Sequence, residues 1–180
     1  MAVRASIAAM TTELEYLLAV EIASPLGPLR LRREVPGDDG FRFALFCESR
    51  PELAMLPLDA AVKERLMRQQ FSAQSAGYAA RYPQALAAIA ERNGVSIGRV
   101  LLDAAPARLH LADIAMLSAM RGKGAGQAIL SALQDAARAS ARPLRLHVSR
   151  GNLAAARLYL RLGFKPVAED AANIEMEWNG

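Results

Sequence analysis

The chain has little cysteine and little histidine: one Cys, at 47, and two His, at 110 and 147, in 180 residues. A single thiol closes no intrachain disulfide and cannot build a cysteine metal cluster, and it fits a reducing, cytoplasmic setting. His110 and His147 lie too far apart in sequence to suggest paired metal ligands. No stretch reaches the ~18 consecutive apolar residues of a membrane span. There is no run of like charge either. Lys and Arg outnumber Asp and Glu by 22 to 18, for a net charge of +4, but they are scattered. That balance suits an anionic ligand better than a nucleic acid. Two common phosphate signatures are missing as well. Nothing matches G-x-x-x-x-G-K followed by Ser or Thr, and no glycine stretch has the G-x-G-x-x-G spacing of a dinucleotide site.

What is present is an apolar share of 53 %, enough for one domain with a full core, of α/β or α+β class. The chain turns on the stretch from Met116 to Leu130, M-L-S-A-M-R-G-K-G-A-G-Q-A-I-L. An apolar run, Leu109 to Leu117, reads as a long central strand and enters it. A helical pattern, Gly126 to Ala141, leaves it. Between them lie Arg121, Gly122, Lys123, Gly124, Ala125 and Gly126, followed by Gln127. A strand running through a glycine turn into a helix exposes the first N–H groups of that helix, where the helix dipole adds positive character. Such a site takes an anion, most often a phosphate. Glycine lets the anion approach the backbone, and Arg121 and Lys123 add full charges.

A second pattern follows downstream. Asn152 to Phe164 reads N-L-A-A-A-R-L-Y-L-R-L-G-F, after a strand at Leu144 to Val148. R-G-x-G-x-G at Arg121 to Gly126 resembles the pyrophosphate-binding motif of the GNAT superfamily of acyl-CoA-dependent N-acetyltransferases. Asn152, Ala155, Tyr159, Gly163 and Phe164 fall on that superfamily's N-x-x-A-x-x-x-Y-x-x-x-G-F. The resemblance spans roughly Val95 to Trp178; before that, only the order of elements agrees.

The resemblance implies a mixed, mostly antiparallel central sheet flanked by helices and splayed at its central strands. It implies acetyl-CoA as cosubstrate and transfer of an acetyl group to a primary amine of a small molecule or protein, by direct attack in a ternary complex. A non-catalytic acyl-CoA sensor is the alternative. By position, backbone groups of Met116, Leu117 and Ser118 would pair with the cofactor's arm, with the Met116 N–H toward the thioester oxygen. The superfamily usually has Pro where this chain has Ser118. Residues 121–127 would hold the pyrophosphate. Asn152 would bind the arm or cap its helix, and Tyr159 would protonate the leaving sulfur. No general base stands out. Strand alternation puts His110, Ala112, Ile114 and Met116 on one face and Asp113 on the other, unless a bulge intervenes. His110, Asp113 or water is left for that role.

The remaining chain gives weaker signals. Residues 1–22 read as a loosely attached segment with a short helix at Thr12 to Val20, ahead of a single domain at 23–180. Met10 is an alternative start, and Glu13, Glu15 and Glu21 interrupt what would otherwise hint at a secretory leader. Leu29 to Val35 and Phe41 to Cys47 read as a hairpin around Pro36-Gly37-Asp38-Asp39-Gly40, with Cys47 packed in a core strand. Asp59 is placed to cap a helix ending near Arg81. Its polar and aromatic stretch, Arg68 to Tyr78, suits either an acceptor-pocket wall or an exposed helix face. Strands follow at Gln84 to Ala90 and Val95 to Leu102, joined by the Asn93-Gly94 turn. After a helix at Leu153 to Leu162, strands at Phe164 to Ala168 and Ile174 to Trp178 close the chain. Their apolar character would let them pair between subunits as a homodimer. The acceptor amine carries no motif.

Overall fold

The structure is a computed structural model that describes residues 15–180. Residues 15–19 are helical, α1. The elements after it are β1 (Glu21–Ile22), β2 (Leu29–Arg33), α2 (Asp39–Glu48), α3 (Pro51–Ala54), α4 (Ala60–Arg81) and β3 (Leu86–Arg92). Then come β4 (Val95–Ala105), β5 (Arg108–Met116), α5 (Ala125–Ala139), β6 (Leu144–Ser149), α6 (Leu153–Arg161), β7 (Lys165–Glu169) and β8 (Asn173–Trp178). The strands form one sheet in the order β1-β2-β3-β4-β5-β6-β8-β7. Every neighbouring pair is antiparallel except β5 and β6. Among the described residues, no helix is long and apolar enough to cross a membrane.

One core cluster joins the sheet to α5 and α6. It takes Val100, Leu102, Ala104, Leu109 and Leu111 from β4 and β5, Ile129, Leu130 and Leu133 from α5, and Tyr159 from α6. On α5 these residues recur at helical spacing, so one stripe faces the sheet and the rest faces water. The described part of the N-terminal segment, residues 15–22, makes contacts with this fold. Leu17 is fully buried in the same cluster, and Ile22 pairs with Leu29. Residues 1–14, with the question of an alternative start and the beginning of the expected helix, lie outside the described residues.

The expected strand at Phe41 to Cys47 is instead α2. β2 pairs with β3 along Arg30–Arg33 and with β1 at Leu29 and Arg30, and the chain after it makes a tight turn at Pro36–Asp38 that runs straight into the helix. Asp38 starts the helix instead. Its carboxylate takes two Arg32 N–H bonds, at 2.7 Å each, and the Val35 N–H at 2.8 Å. Leu45 and Phe46 then bury, and Phe43 and Phe46 meet the Phe71 ring of α4 at 5.6 and 5.7 Å. Cys47 sits half-buried on this helix, its thiol pKa raised by desolvation. Asp59 precedes α4, but its side chain makes no capping bond; its backbone carbonyl accepts from Lys63 N at 2.9 Å.

Two irregularities shape the middle of the sheet. On β5, Leu111 pairs with Leu102 and Asp113 with Leu101, so Ala112 is an extra residue, a bulge. On its other edge, β5 pairs with β6 only at Leu109, His110 and Leu111. Beyond Leu111 the two parallel strands part, while β6 continues along β8 to Ser149.

Candidate active site

The bulge decides which side chains face the cleft. Directly paired residues share a sheet face. Leu102–Leu111, Val100–Ile114 and Gly98–Met116 therefore face the α5 core, and Arg99–Ala115, Leu101–Asp113 and Asp103–His110 face the other way. Simple alternation puts His110 with Ile114 and Met116; the extra residue at 112 puts it with Asp113 instead. Asp113 thus points to the side roofed by α2 and α4.

A cavity of about 650 Å³ opens there. Its floor is the stretch Ala112 to Met116, unpaired on the β6 side, one wall carries His147 and Ser149 of β6, and Asn152 lies at its edge. Phe71, Gln74, Ser75 and Tyr78 of α4 form the roof. Their spacing of three and four residues is one helix face, so the polar and aromatic stretch of this helix is a cavity wall. Arg99 and Asp113, far apart in sequence, meet beneath it. Arg99 donates to Glu34 at 2.7 Å and to Asp113 at 3.3 Å, and Arg42 pairs with the other Glu34 oxygen at 3.1 Å. Arg42 also donates to Ser75 Oγ at 2.9 Å. Desolvation raises the Asp113 pKa, and the Arg99 charge opposes the rise. Burial pushes the Tyr78 phenol up to about 12, so it is uncharged. Sequence reading missed Glu34, Arg42, Arg99 and His147 as site residues, and the ion-pair partners carry no local signal; Tyr78 lies in the Arg68 to Tyr78 stretch whose wall reading the cavity bears out.

His110 sits next to this cavity rather than in its wall. Its Nε2 lies 3.1 Å from the Tyr82 hydroxyl, and its ring meets His147 edge-on at 5.3 Å between centroids. Burial, with His147 and Arg108 nearby, lowers its pKa to about 4. A group that gives up its proton so readily is a poor base near neutrality.

The residues expected to hold a cofactor gather at the mouth of the split. The Leu117 N–H donates to Ile97 O at 3.0 Å, and Leu117 O accepts from Met120 N at 2.8 Å, so both its backbone groups are used inside the chain. Backbone groups alternate along a strand edge. The Met116 N–H therefore points the other way, into the split, while Met116 O accepts from Arg121 Nε at 2.9 Å. The Ser118 N–H donates to the Glu48 carboxylate at 2.5 Å, and Arg121 Nη2 reaches Glu48 O at 3.3 Å. Gly122 and Lys123 form the exposed turn.

Gly124 starts α5 in the left-handed region, at φ +89°, with Pro25 packed on it; a Cβ there would lie 2.8 Å from Pro25 Cγ. No side chain caps α5 and no acid lies in its first turn. The first helical bond runs from Ala128 N to Gly124 O, which leaves the N–H groups of Ala125, Gly126 and Gln127 directed outward. Ala125 itself is buried and Gln127 exposed. This fits a bound pyrophosphate: open donors, glycines beside them, and Arg121 and Lys123 close by.

Asn152 caps α6, its Oδ1 accepting from Ala155 N at 3.1 Å, and the same residue edges the cavity. Tyr159 packs on Phe164 at 5.8 Å with 7 % of its surface exposed. Its hydroxyl has no hydrogen-bond partner among the described residues. Burial pushes its pKa up to about 12, and the Asp113 charge acts in the same direction.

Residues 51–164 match the model of the Acetyltransferase (GNAT) family. No curated protein matches the chain. Among solved structures, the PaiA N-acetyltransferase of Thermoplasma acidophilum, in complex with coenzyme A, superposes with a TM-score of 0.64 at 18 % identity, over 84 % of this chain and 99 % of its own. A GCN5-related N-acetyltransferase from Rhodopseudomonas palustris superposes at 0.61 and 21 % identity, over 88 % and 98 %. YncA of Salmonella typhimurium, solved with acetyl-CoA, gives 0.54 at 16 % identity, over 84 % and 93 %. At these identities the superpositions establish the shared fold.

Proposed function

Because the chain belongs to the GNAT acetyltransferase family, we propose that it moves an acetyl group from acetyl-CoA to a primary amine, with both substrates bound together. The observation that carries this reading is the adjacency of two open features: an unpaired β5 edge at Met116 and an uncapped α5 N-terminus eight residues on. The first can pair with an extended arm like an added strand; the second can hold a pyrophosphate. Asp113 lies along the same floor, where an amine would enter.

When bound, acetyl-CoA supplies an activated acyl carbon as a thioester. The Met116 N–H would donate to the carbonyl oxygen as charge develops there. Asp113 would take the amine's proton as the nitrogen–carbon bond forms; its raised pKa makes it a better base than an ordinary carboxylate. The carbon–sulfur bond breaks, and the free Tyr159 hydroxyl would donate to the departing sulfur. A phenol near 12 is a weaker acid than a thiol near ~8.5. Tyr159 therefore acts mainly as a hydrogen-bond donor, and the proton the sulfur gains balances the one the amine loses. The test is thiol release from acetyl-CoA with a panel of primary amines. Release that depends on an amine and yields its acetamide supports transfer; tight acetyl-CoA binding with no amine-dependent release favours the sensor alternative.

A further inference from the structure

Resting on that reading, we infer that the acceptor is an amine that also carries a carboxylate, with Arg50 as the residue that reads the acid. Four arginines line the cavity: Arg42, Arg50, Arg99 and Arg121. Three are engaged. Arg42 and Arg99 share Glu34, and Arg99 also holds Asp113. Arg121 donates to two backbone carbonyls, Met116 O at the end of β5 and Glu48 O at the end of α2. Arg50 differs. Its guanidinium lies over the Phe46 ring, 5.5 Å from the centroid. Among the described residues it has no carboxylate and no hydrogen-bond partner. The fork of donors is half-buried, opens on the cavity, and is held in place by an aromatic face.

The charge count points the same way. Glu34 and Asp113 offset Arg42 and Arg99, Asp39 adds a second acid to Arg42 at 3.6 Å, and the Glu48 carboxylate lies at the Ser118 N–H beside Arg121, so Arg50 is the lining arginine whose charge no acid among the described residues meets. Arg121 stands on the cofactor side. Arg50 lies over Phe46, whose ring meets Phe71 of the α4 roof at 5.7 Å, which places it on the roofed side of the cavity with Tyr78. A substrate with its nitrogen at Asp113 and an acid at Arg50 completes both. A polyamine would put a second cation against Arg50 and be disfavoured. Phe46 and Phe71 in the same lining offer apolar surface to a carbon skeleton.

The experiment compares free amino acids, with apolar, polar and acidic side chains, against their C-terminal amides and against spermidine, in wild type, Arg50→Ala and Arg50→Lys. The acid should exceed its amide by ~10–100-fold in kcat/KM, carried by KM, as for a hydrogen bond to a charged group. Arg50→Ala should bring the acid down to the amide's level, and Arg50→Lys should restore part of the difference. Acetyl-CoA affinity should not move in either variant. Equal rates for acid and amide, a preference that survives Arg50→Ala, or a matching loss of acetyl-CoA affinity overturns the inference. If no amine is acetylated, binding of N-acetyl amino acids and N-acetyl amino acid amides to the coenzyme A complex separates the two readings. An Arg50-dependent preference for the acid keeps this site and removes the transferase; no preference removes this site.

Discussion

Asp113 Oδ2 lies 3.3 Å from Arg99 Nη1, and Arg99 in turn donates to Glu34 at 2.7 Å. The contact with Asp113 is longer than the one with Glu34, so the guanidinium is shared unequally. The half-buried Asp113 carboxylate thus holds the weaker share of the guanidinium. The proposed role of Asp113 as proton acceptor needs such a partly satisfied carboxylate.

Asp113→Asn keeps the shape and removes the base. Turnover should fall by ~10²–10⁴-fold. In the wild type, kcat/KM should rise with pH through a pKa above the ordinary ~3.9 of aspartate; in Asp113→Asn that limb should vanish. A pH–rate profile checks both, and an unaltered limb removes Asp113 from the mechanism.

Tyr159→Phe should lower kcat by ~10–100-fold, the value of a hydrogen bond to a charged sulfur. Its acetyl-CoA dissociation constant should stay within about twofold, because the lost contact forms as the sulfur departs. Equal losses in kcat and affinity would assign the hydroxyl to cofactor binding.

Gly98 has no space for a Cβ. One placed there would lie 2.4 Å from Met116 Sδ and 2.7 Å from Ala115 O. Gly98→Val should push β5 from β4 at Met116 and so shift the Met116 N–H, which faces the split on the far edge of β5. We expect a loss of ~1–3 kcal/mol in denaturant unfolding, together with a fall in kcat. A variant with wild-type stability and rate would show that the Met116 position is not critical.

Asp38→Ala removes the anchor that turns the chain from β2 into α2, and should cost ~2–3 kcal/mol. Beside Arg32, the Asp38 carboxyl is lowered to about 2 from an ordinary 3.8. A lowered pKa means the contribution is complete above the unfolded value and is lost as pH falls toward 2. The gap between wild type and Asp38→Ala in urea midpoint should therefore narrow on acidification below about pH 4.

The second half of the chain was open to reading because its signals are local. A strand, a glycine turn and a helix follow one another from Leu109 to Ala139, and each carries its own chemistry in consecutive residues. The first half was less so. Phe41 to Cys47 alternates well enough for a strand, but in the fold Phe43 and Phe46 pack on Phe71 of α4, a tertiary contact that no local pattern records. Likewise one extra residue at Ala112 reverses the facing of His110 relative to Ile114, and a bulge leaves no composition signal. The Glu34, Arg42 and Arg99 cluster joins three elements through ion pairs that only the fold brings together.

The central claim is that the open β5 edge and the α5 N-terminus form one acetyl-CoA site. Calorimetric titration of the wild type and of Gly124→Val with acetyl-CoA tests it most directly. The valine would be strained at φ +89° and would meet Pro25. The account predicts micromolar binding by the wild type and a loss of at least tenfold in the variant. No binding by the wild type, or equal binding by both, would contradict it.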